Sequence, residues 1–356
     1  MPFPEKLNHS DFLDAVRLQL RRNLPLAVYR VPGTDQLKAV LQDSAELLEF
    51  GNPEDQGFVF APFAADGPPK TILRPDRFFT SPFSREAVLQ APVMPDPDHQ
   101  AREIHEEAIL GAIAAIRSGP LRKVVLARRF SVPFDGEALA VFGRLAATYP
   151  AAYSYLLHHP ALGTWMGASP ELLLNYSEGW AETVSLAGTQ AADPSGLARW
   201  GSKELDEQEV VTRYVLERIR SMGLEPQAGQ QESVRAGTVW HLRTPVRMRA
   251  SARQLPELIN QLHPTPAVCG YPPQEARAFI KDHENFSREY YTGFLGEQNL
   301  EMPESVSFYV NLRCMQVFGD KAYIYVGGGI TAASDPRAEW EETRLKSATI
   351  LSILNI

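Results

Sequence analysis

Cysteine and long hydrophobic runs are both scarce in this sequence. Cys269 and Cys314 are the only two cysteines among 356 residues. This usage favours a reducing compartment and free, buried thiols, with a disulfide between the two as the alternative. No apolar run is long enough to span a membrane, and the first residues, MPFPEKLNHSDF, lack the apolar core of a signal peptide. We therefore expect a cytoplasmic protein that does not enter a membrane.

Clusters of basic residues are also missing. The formal net charge is −8 at pH 7, which argues against nucleic acid as a partner. The chain is 44% hydrophobic and 22% charged, as in ordinary globular proteins. We find no internal repeat, low-complexity tract or heptad array. The composition therefore leaves a globular enzyme or binding protein.

The length allows one large domain or two of ordinary size. The proline-rich segment Ala91–His99, APVMPDPDH, is the best candidate boundary. It separates an N-terminal region, residues 1–96, from a core, residues 97–356. We expect the N-terminal region to contribute strands to the fold of the core. Its predicted elements are a helix over residues 10–22 capped by Ser10 and strands over 24–31, 58–63 and 70–73.

The core alternates helical and strand patterns. Helices are predicted over residues 102–117, 138–148 and 256–262, and another begins at Ser202. The segment VSFYVNLRCMQVFGDKAYIYV predicts a hairpin that turns at Phe318–Lys321, with Arg313 on its first strand.

The C-terminal stretch VGGGITAASDPRAEWEETRLK predicts a strand, a turn at Gly327–Gly329 and a helix. Ser334 or Asp335 can cap that helix and Pro336 suits its first turn. The next residues of interest share one helical face because they are three and four positions apart: Glu339, Glu342 and Lys346. Such a face suits a bound anion and a metal, but an exposed Glu–Lys pair is the commoner case.

Three more charged residues lie beside apolar runs. Lys123 precedes Val124–Leu126 and is either snorkelling to solvent, the commoner case, or held in a site. Glu171 precedes three leucines, so burial could raise its pKa, or it could be a solvated turn residue. Glu207 shares the apolar face of its helix and needs a metal or an arginine as partner, unless the acids there simply favour the helix dipole.

Nine short motifs in a fixed order resemble the chorismate-utilising enzymes, and isochorismate synthases most, over residues 97–354. They are KVVLAR, GASPELL, LAGT, the acidic helix start at Lys203, HLRT, HPTPAVCG, NLRC, VGGGI and EWEETRLK. No single motif is specific, but their ordered co-occurrence is. The resemblance implies an α+β fold with large antiparallel sheets flanked by helices and the site between them.

The resemblance also implies an isomerase. Water enters at C2 of chorismate and the C4 hydroxyl leaves, in a pathway to menaquinone or a catechol siderophore. Lys123 matches the general base of the family and Glu171 the general acid. A base on one side of the ring and an acid on the other is what this chemistry requires.

A magnesium ion is implied because chorismate is a dicarboxylate and the implied site is rich in glutamate. Glu207 and Glu342 match the metal positions of the family, with Glu204 and Glu339 as outer supports through water. Arg313 matches the group that grips the enolpyruvyl carboxylate, and amides near Gly327 and Gly329 match the ring-carboxylate site. Further site residues implied by the resemblance are Thr189, His241, Tyr291 and Lys346.

The chain departs from the family at Gln208, where many relatives have histidine beside the metal. Ala187 precedes the Gly-Thr turn, which speaks against a covalent lysine adduct at C2. We expect no obligatory glutaminase subunit. The alternatives are salicylate synthase, which goes on to eliminate pyruvate from isochorismate, and a non-catalytic chorismate-binding relative that would not need Lys123 and Glu171.

Overall fold

The structure, a computed structural model, describes residues 4–83, 98–191, 198–236 and 239–354. Seven α-helices lie within these residues: α1 His9–Arg21, α2 His99–Ser118, α3 Ala138–Thr148, α4 Ser202–Ser221, α5 Leu255–Leu262, α6 Pro273–His283 and α7 Pro336–Leu351. Among them, no helix is long and apolar enough to cross a membrane.

The strands of the first half are β1 Glu5–Lys6, β2 Leu26–Arg30, β3 Gln36–Leu41, β4 Gly57–Ala61, β5 Thr71–Leu73, β6 Arg77–Pro82, β7 Lys123–Pro133, β8 Tyr153–His159, β9 Gly163–Ser169, β10 Leu172–Ser177 and β11 Trp180–Ala191. Those of the second half are β12 Gln227–Ala228, β13 Glu232–Ala236, β14 Val239–Arg249, β15 Gly270–Tyr271, β16 Phe294–Gln298, β17 Val306–Val310, β18 Cys314–Phe318 and β19 Lys321–Ile330.

These strands form two large sheets. The first sheet has the order β1-β6-β3-β2-β8-β9-β18-β19-β7-β15, and the second has the order β12-β14-β11-β10-β17-β16-β4-β5 with β13 also paired to β14. Apart from the parallel pair β1–β6, the pairings are antiparallel. The predicted α+β fold with large antiparallel sheets and flanking helices is confirmed.

Aromatic side chains fill the space between the two sheets. Trp165 and Tyr325 of the first sheet stack with ring centroids 5.4 Å apart, and Phe60 of the second sheet stacks on Tyr290 at 4.0 Å. On the outer faces, α1 and α3 pack against the first sheet, and α4 and α5 against the second. Aromatic burial of this kind contributes a large part of the hydrophobic driving force, and it holds the sheets at a defined separation.

Strands from before residue 96 lie in both sheets. β2 pairs with β8 and β4 pairs with β16. The boundary placed at Ala91–His99 lies mostly outside the described residues, and His99 already begins α2. The division into residues 1–96 and 97–356 therefore stays a prediction.

The sequence predictions are wrong in several local details of the N-terminal region. Helix α1 is capped by Asn8, whose side chain accepts a hydrogen bond from the Asp11 amide at 2.9 Å, and Ser10 lies inside the helix. Both residue types cap well, and the extended backbone of Asn8 decides between them. Strands β3 and β6 were not predicted, because β3 is buried on both faces and most of β6 is buried too, so neither shows polar alternation.

The predicted hairpin is correct for one half only. β18 and β19 pair around Gly319 and Asp320 as predicted, but β17 belongs to the second sheet and β18 to the first. Arg313, predicted to lie on a strand, sits where the chain crosses between the sheets, with φ of 48°. Local sequence does not reveal the crossing, because β17 and β18 are both largely apolar. Only the strand pairing in the folded protein shows that they belong to different sheets.

Candidate active site

A small cavity lies between the two sheets, at the end where β7 and β19 of the first sheet approach β11 and β14 of the second. Nine residues implied by the sequence line it: Glu171, Thr189, Glu207, His241, Tyr291, Arg313, Gly327, Gly329 and Lys346. Its volume is about 60 Å³, well below the roughly 300–1,000 Å³ of ligand pockets. In the structure these side chains therefore lie close together, with little free volume between them.

Lys123 is the first residue of β7 and is only 1% exposed, so the interpretation as a snorkelling lysine is wrong. Its Nζ lies 2.8 Å from Oε1 of Glu207, which projects from the second turn of α4. Glu207 is on the same helical face as the fully buried Val211 and Val215. Burial raises the pKa of Glu207, but Lys123 and Lys203 outweigh it, and the net shift is downwards. Glu207 is thus a buried carboxylate held in its charged form.

Glu171 lies where the chain crosses from β9 of the first sheet to β10 of the second. It is 3% exposed, which rules out the solvated-turn interpretation. Burial raises the pKa of its carboxyl to about 8, despite the opposing charges of Lys123 and Lys346. A carboxyl that keeps its proton at neutral pH can act as a general acid. Its backbone oxygen accepts a hydrogen bond from the Val310 amide at 3.0 Å.

Arg313 lies at the second crossing between the sheets, next to the first. Its carbonyl accepts from the Ala168 amide at 3.1 Å, so the two crossings run side by side. Its guanidinium Nη2 lies 3.0 Å from Nε2 of His241. The two segments that cross between the sheets run in opposite directions, and they place the Glu171 carboxyl and the Arg313 guanidinium at the same cavity.

His241 supports Arg313 as a neutral ring. Its Nδ1 lies 2.9 Å from the Gly188 carbonyl, which only accepts, so Nδ1 carries the hydrogen and Nε2 accepts from Arg313. Burial, and then the charge of Arg313, lowers the pKa of His241 well below its usual value. Thr189 Oγ1 lies 3.4 Å from Nδ1. A bulge at Gly188, with φ of 67°, sets this register.

The three consecutive glycines lie in strand β19, paired with β7, and do not form the predicted turn. Gly327 pairs with Ala127 and Gly329 with Val125. A Cβ at Gly329 would lie 2.4 Å from Oε1 of Glu207, and one at Gly327 would lie 3.0 Å from the hydroxyl of Tyr291. The glycines are thus needed because the site side chains pack directly on the strand, and the turn follows at residues 331–335.

Helix α7 presents its acidic face to this glycine strand. It is capped by Asp335, whose side chain accepts from the Ala338 amide at 2.9 Å, so the predicted cap is confirmed. Lys346 Nζ lies 2.6 Å from Oε1 of Glu342 and 3.0 Å from the Gly327 carbonyl. Lys346 therefore links α7 to the strand that forms the cavity floor.

Glu339 is 1% exposed and lies behind Gly328. Its Oε1 accepts from Lys203 Nζ and from Ser334 Oγ, each at 2.6 Å. Burial, and then Glu342, raises the pKa of Glu339. Its Oε2 has no hydrogen-bond partner within the described residues, and both Glu339 and Glu342 carboxylates approach the Cβ position of Gly328, at 3.3 and 3.8 Å.

Glu204 does not reach the cavity. Its Oε2 accepts from the Gly201 amide at 3.0 Å, so its side chain caps the start of α4, and its role as an outer support of a metal through water stays a prediction. Gln208 also has a structural role, because its Nε2 donates to Ser185 Oγ at 2.9 Å and Thr244 Oγ1 at 3.1 Å. These bonds tie α4 to β11 and β14.

The residue that the sequence analysis missed most clearly is Lys203, the partner of Glu339. Its position four residues before Glu207 was the available signal, since that spacing puts both on one helical face. The apolar walls were also missed, and they are formed by Val125, Leu186, Ala267, Val268 and Leu312. Apolar wall residues carry no chemical signature, so nothing in the sequence marks them.

A family model described as "Chorismate binding enzyme" matches residues 79–355. The chain belongs to this family. MenF of Mycobacterium tuberculosis is 33% identical over 341 residues, which is 89% of each chain. Isochorismate synthase EntC of Escherichia coli is 29% identical over 263 residues, covering 70% of this chain and 67% of that protein.

Among solved structures, this chorismate-binding enzyme superposes on MenF, the menaquinone-specific isochorismate synthase from Escherichia coli, with a TM-score of 0.76. The match covers 93% of this chain and 89% of that chain at 23% identity, so it speaks to the fold alone. The family and the fold class predicted from the sequence are both confirmed.

Proposed function

We propose that this chorismate-binding enzyme is a Mg²⁺-dependent isochorismate synthase, an isomerase that moves the ring hydroxyl of chorismate from C4 to C2. The observation that carries this proposal is that a buried lysine, Lys123, and a buried carboxyl with a raised pKa, Glu171, belong to one site: Glu171 lines the cavity, and Lys123 contacts Glu207, which lines it too. The names of its relatives support it.

The residues divide the reaction between them. Lys123 acts as the general base, removing a proton from the water that attacks C2, once its contact with Glu207 is broken. Glu171 acts as the general acid and gives its proton to the C4 hydroxyl, which leaves as water. The ring double bonds shift between the two positions. One water is added at C2 and one leaves from C4, so no net water is consumed.

Substrate binding falls to the cationic and amide groups of the cavity. Arg313, held by neutral His241, binds the enolpyruvyl carboxylate through a charge-assisted contact. Thr189, Tyr291 and Lys346 complete the walls, and backbone amides near Gly327 and Gly329 are proposed to hold the ring carboxylate. Because His241 is neutral, the positive charge of Arg313 is not repelled by its support.

The described residues fit a hard cation such as Mg²⁺. No group of three or more His, Cys, Asp or Glu side chains converges among them, but Mg²⁺ usually takes one or two carboxylates, waters and a substrate oxygen. Glu207 and Glu342 would hold it, and the partnerless Oε2 of Glu339 offers a further oxygen. When bound, the ion supplies positive charge that offsets repulsion between these glutamates and a dianionic substrate.

The test is to incubate the purified protein with chorismate, with and without Mg²⁺, and to identify products by chromatography and NMR. Isochorismate, formed only with Mg²⁺, supports the proposal. Salicylate with pyruvate moves the assignment to salicylate synthase, since every residue above also serves that enzyme's first step. No turnover, even with added ammonia, would favour a non-catalytic binding protein.

A further inference from the structure

A buried ion pair lies directly behind the cavity and has no part in the mechanism above. Glu284 and Arg288 are four residues apart in the loop that follows α6, and their side chains are 4% and 3% exposed. Arg288 Nε donates to Oε2 of Glu284 at 2.8 Å and Nη2 donates to Oε1. Buried pairs of this kind contribute little net stability against an apolar replacement, so their presence calls for another explanation.

Every N–H group of Arg288 has an acceptor. Besides Glu284, Nη2 donates to the Val125 carbonyl at 2.7 Å, and Nη1 donates to the Val268 carbonyl at 2.9 Å and to Thr292 Oγ1 at 3.2 Å. Val125, Val268 and Thr292 all line the cavity. One guanidinium thus joins three separate segments of the cavity wall.

The pair also completes an unfinished strand edge. β15 pairs with only Lys123 and Val124 of β7, and no other strand within the described ranges continues along that edge. Beyond it, Glu284 Oε1 accepts from the Ala127 amide at 2.8 Å while Arg288 donates to Val125. The Glu284 carboxylate and the Arg288 guanidinium thus make the two hydrogen bonds to β7 that the backbone of a neighbouring strand would otherwise make.

The backbone just after Arg288 is strained at Thr292, and a hydrogen bond from Arg288 holds that residue in place. Thr292, a β-branched residue, has φ of 60°, which is costly for such a side chain. The Tyr291 amide donates to the Arg288 carbonyl at 2.7 Å, and Thr292 Oγ1 is bound by Arg288. The strained corner sets the direction of Tyr291, whose hydroxyl reaches the Gly327 strand.

We infer that Glu284 and Arg288 are positioning residues for the isomerisation. They align the β7 segment that begins with Lys123, the Val268 loop and the Tyr291 corner around the substrate. This inference rests on the proposed function. A wall misplaced by about 1 Å can cost on the order of 10²-fold in rate, so a variant of either residue should lower the kcat of the protein that remains folded, in addition to the stability lost by breaking a buried pair.

The matched test compares Glu284→Gln with Glu297→Gln. Glu297 also accepts from a buried lysine, Lys38, at 2.8 Å, but it lies in β16 and does not line the cavity. Glutamine has the shape of glutamate but offers one acceptor oxygen where Glu284 uses two. Arg288→Lys is the second variant, because it keeps the charge but replaces five N–H donors in a rigid fork with three on one nitrogen, so it cannot reproduce all five contacts.

Two readouts are taken on folded protein: kcat and KM for chorismate, and amide hydrogen exchange of residues 123–127 and 263–271. We expect Glu284→Gln or Arg288→Lys to lower kcat on the order of 10²-fold with faster exchange in both segments. Glu297→Gln should keep kcat within about twofold and leave these segments unchanged, because Glu297 contacts neither segment and does not line the cavity.

A folded Glu284→Gln or Arg288→Lys protein with kcat like that of Glu297→Gln would overturn the inference, and so would unchanged exchange in the two segments. If the wild-type protein makes no isochorismate, the proposed function fails by that result alone. The exchange comparison then decides whether the pair orders the cavity wall, because it does not depend on turnover.

Discussion

Two buried lysine–glutamate pairs lie at opposite ends of the space between the sheets. Lys38 of β3 meets Glu297 of β16 at 2.8 Å, and Lys123 of β7 meets Glu207 of α4 at the same distance. By distance and burial the two pairs are nearly the same. Their surroundings are not, and the surroundings are our reason for proposing a catalytic role for the Lys123 pair and a structural role for the Lys38 pair.

The Lys38 pair is closed. Glu297 also accepts from the Tyr29 hydroxyl at 2.6 Å, Lys38 also meets Glu301 at 3.0 Å, and aromatic rings pack around them. In the Lys123 pair, Glu207 instead lines a cavity beside Gly329, together with Glu171, whose pKa is raised to about 8 by burial. A buried ion pair is functional where its neighbours leave room for a third group, and structural where they fill that room.

The largest effect on activity is expected from a substitution in the Lys123 pair. Lys123→Ala should lower kcat by about 10²–10⁴-fold, because general base catalysis typically contributes that much, while chorismate still binds. Stopped-assay kinetics and equilibrium binding check this. Turnover like the wild type's would remove Lys123 from the mechanism.

Glu342→Gln tests the metal site that we propose between Glu342 and Glu207, the partner of Lys123. We expect the Mg²⁺ concentration for half-maximal activity to rise about 10–100-fold, in line with the loss of a group that holds or orients a metal. Glu301→Gln is the matched control, because it removes a carboxylate from the Lys38 pair, and its Mg²⁺ titration should match the wild type. Activity that survives EDTA unchanged would contradict the metal assignment.

The pH dependence of activity tests whether Glu171 is the general acid. Burial raises the pKa of Glu171 to about 8, and the reaction needs its protonated form. Activity should therefore hold at neutral pH and fall as pH rises above about 8, by about tenfold per pH unit in kcat/KM. Glu171→Gln should lose this limb together with most of the activity. A wild-type profile that stays flat up to pH 10 would argue against Glu171 as the acid.

The smallest effect on catalysis is expected at the structural pair. Lys38→Met leaves Glu297 buried without its cation, and breaking a buried pair in this way costs about 3–5 kcal/mol of unfolding free energy. Denaturant unfolding measures that loss. The kcat of the folded variant should stay within about twofold of wild type, and a larger loss would show that the two ends of the molecule are coupled.

Much of the site could be predicted from residue order. Lys123, Glu171 and Arg313 were identified from motifs, and the shared face of Glu339, Glu342 and Lys346 follows from helical spacing. The roles of Glu204 and Gln208 could not be predicted, because a carboxylate or amide at a helix start either caps the helix or turns inward, and only packing decides. Lys203 was not predicted, although its spacing from Glu207 places both residues on one helical face.

The amino-acid sequence alone was enough to identify the family, the α+β class and the candidate site residues, because residue types and the order of motifs can be read directly along the chain. The tertiary structure alone decided that Gly327–Gly329 form a strand, that Arg313 lies at a crossing, and that Lys123 is buried. It also decided that Glu284 and Arg288 complete an edge of β7. These outcomes depend on which sheet each strand joins, and that choice is set by long-range pairing and burial that no single segment encodes.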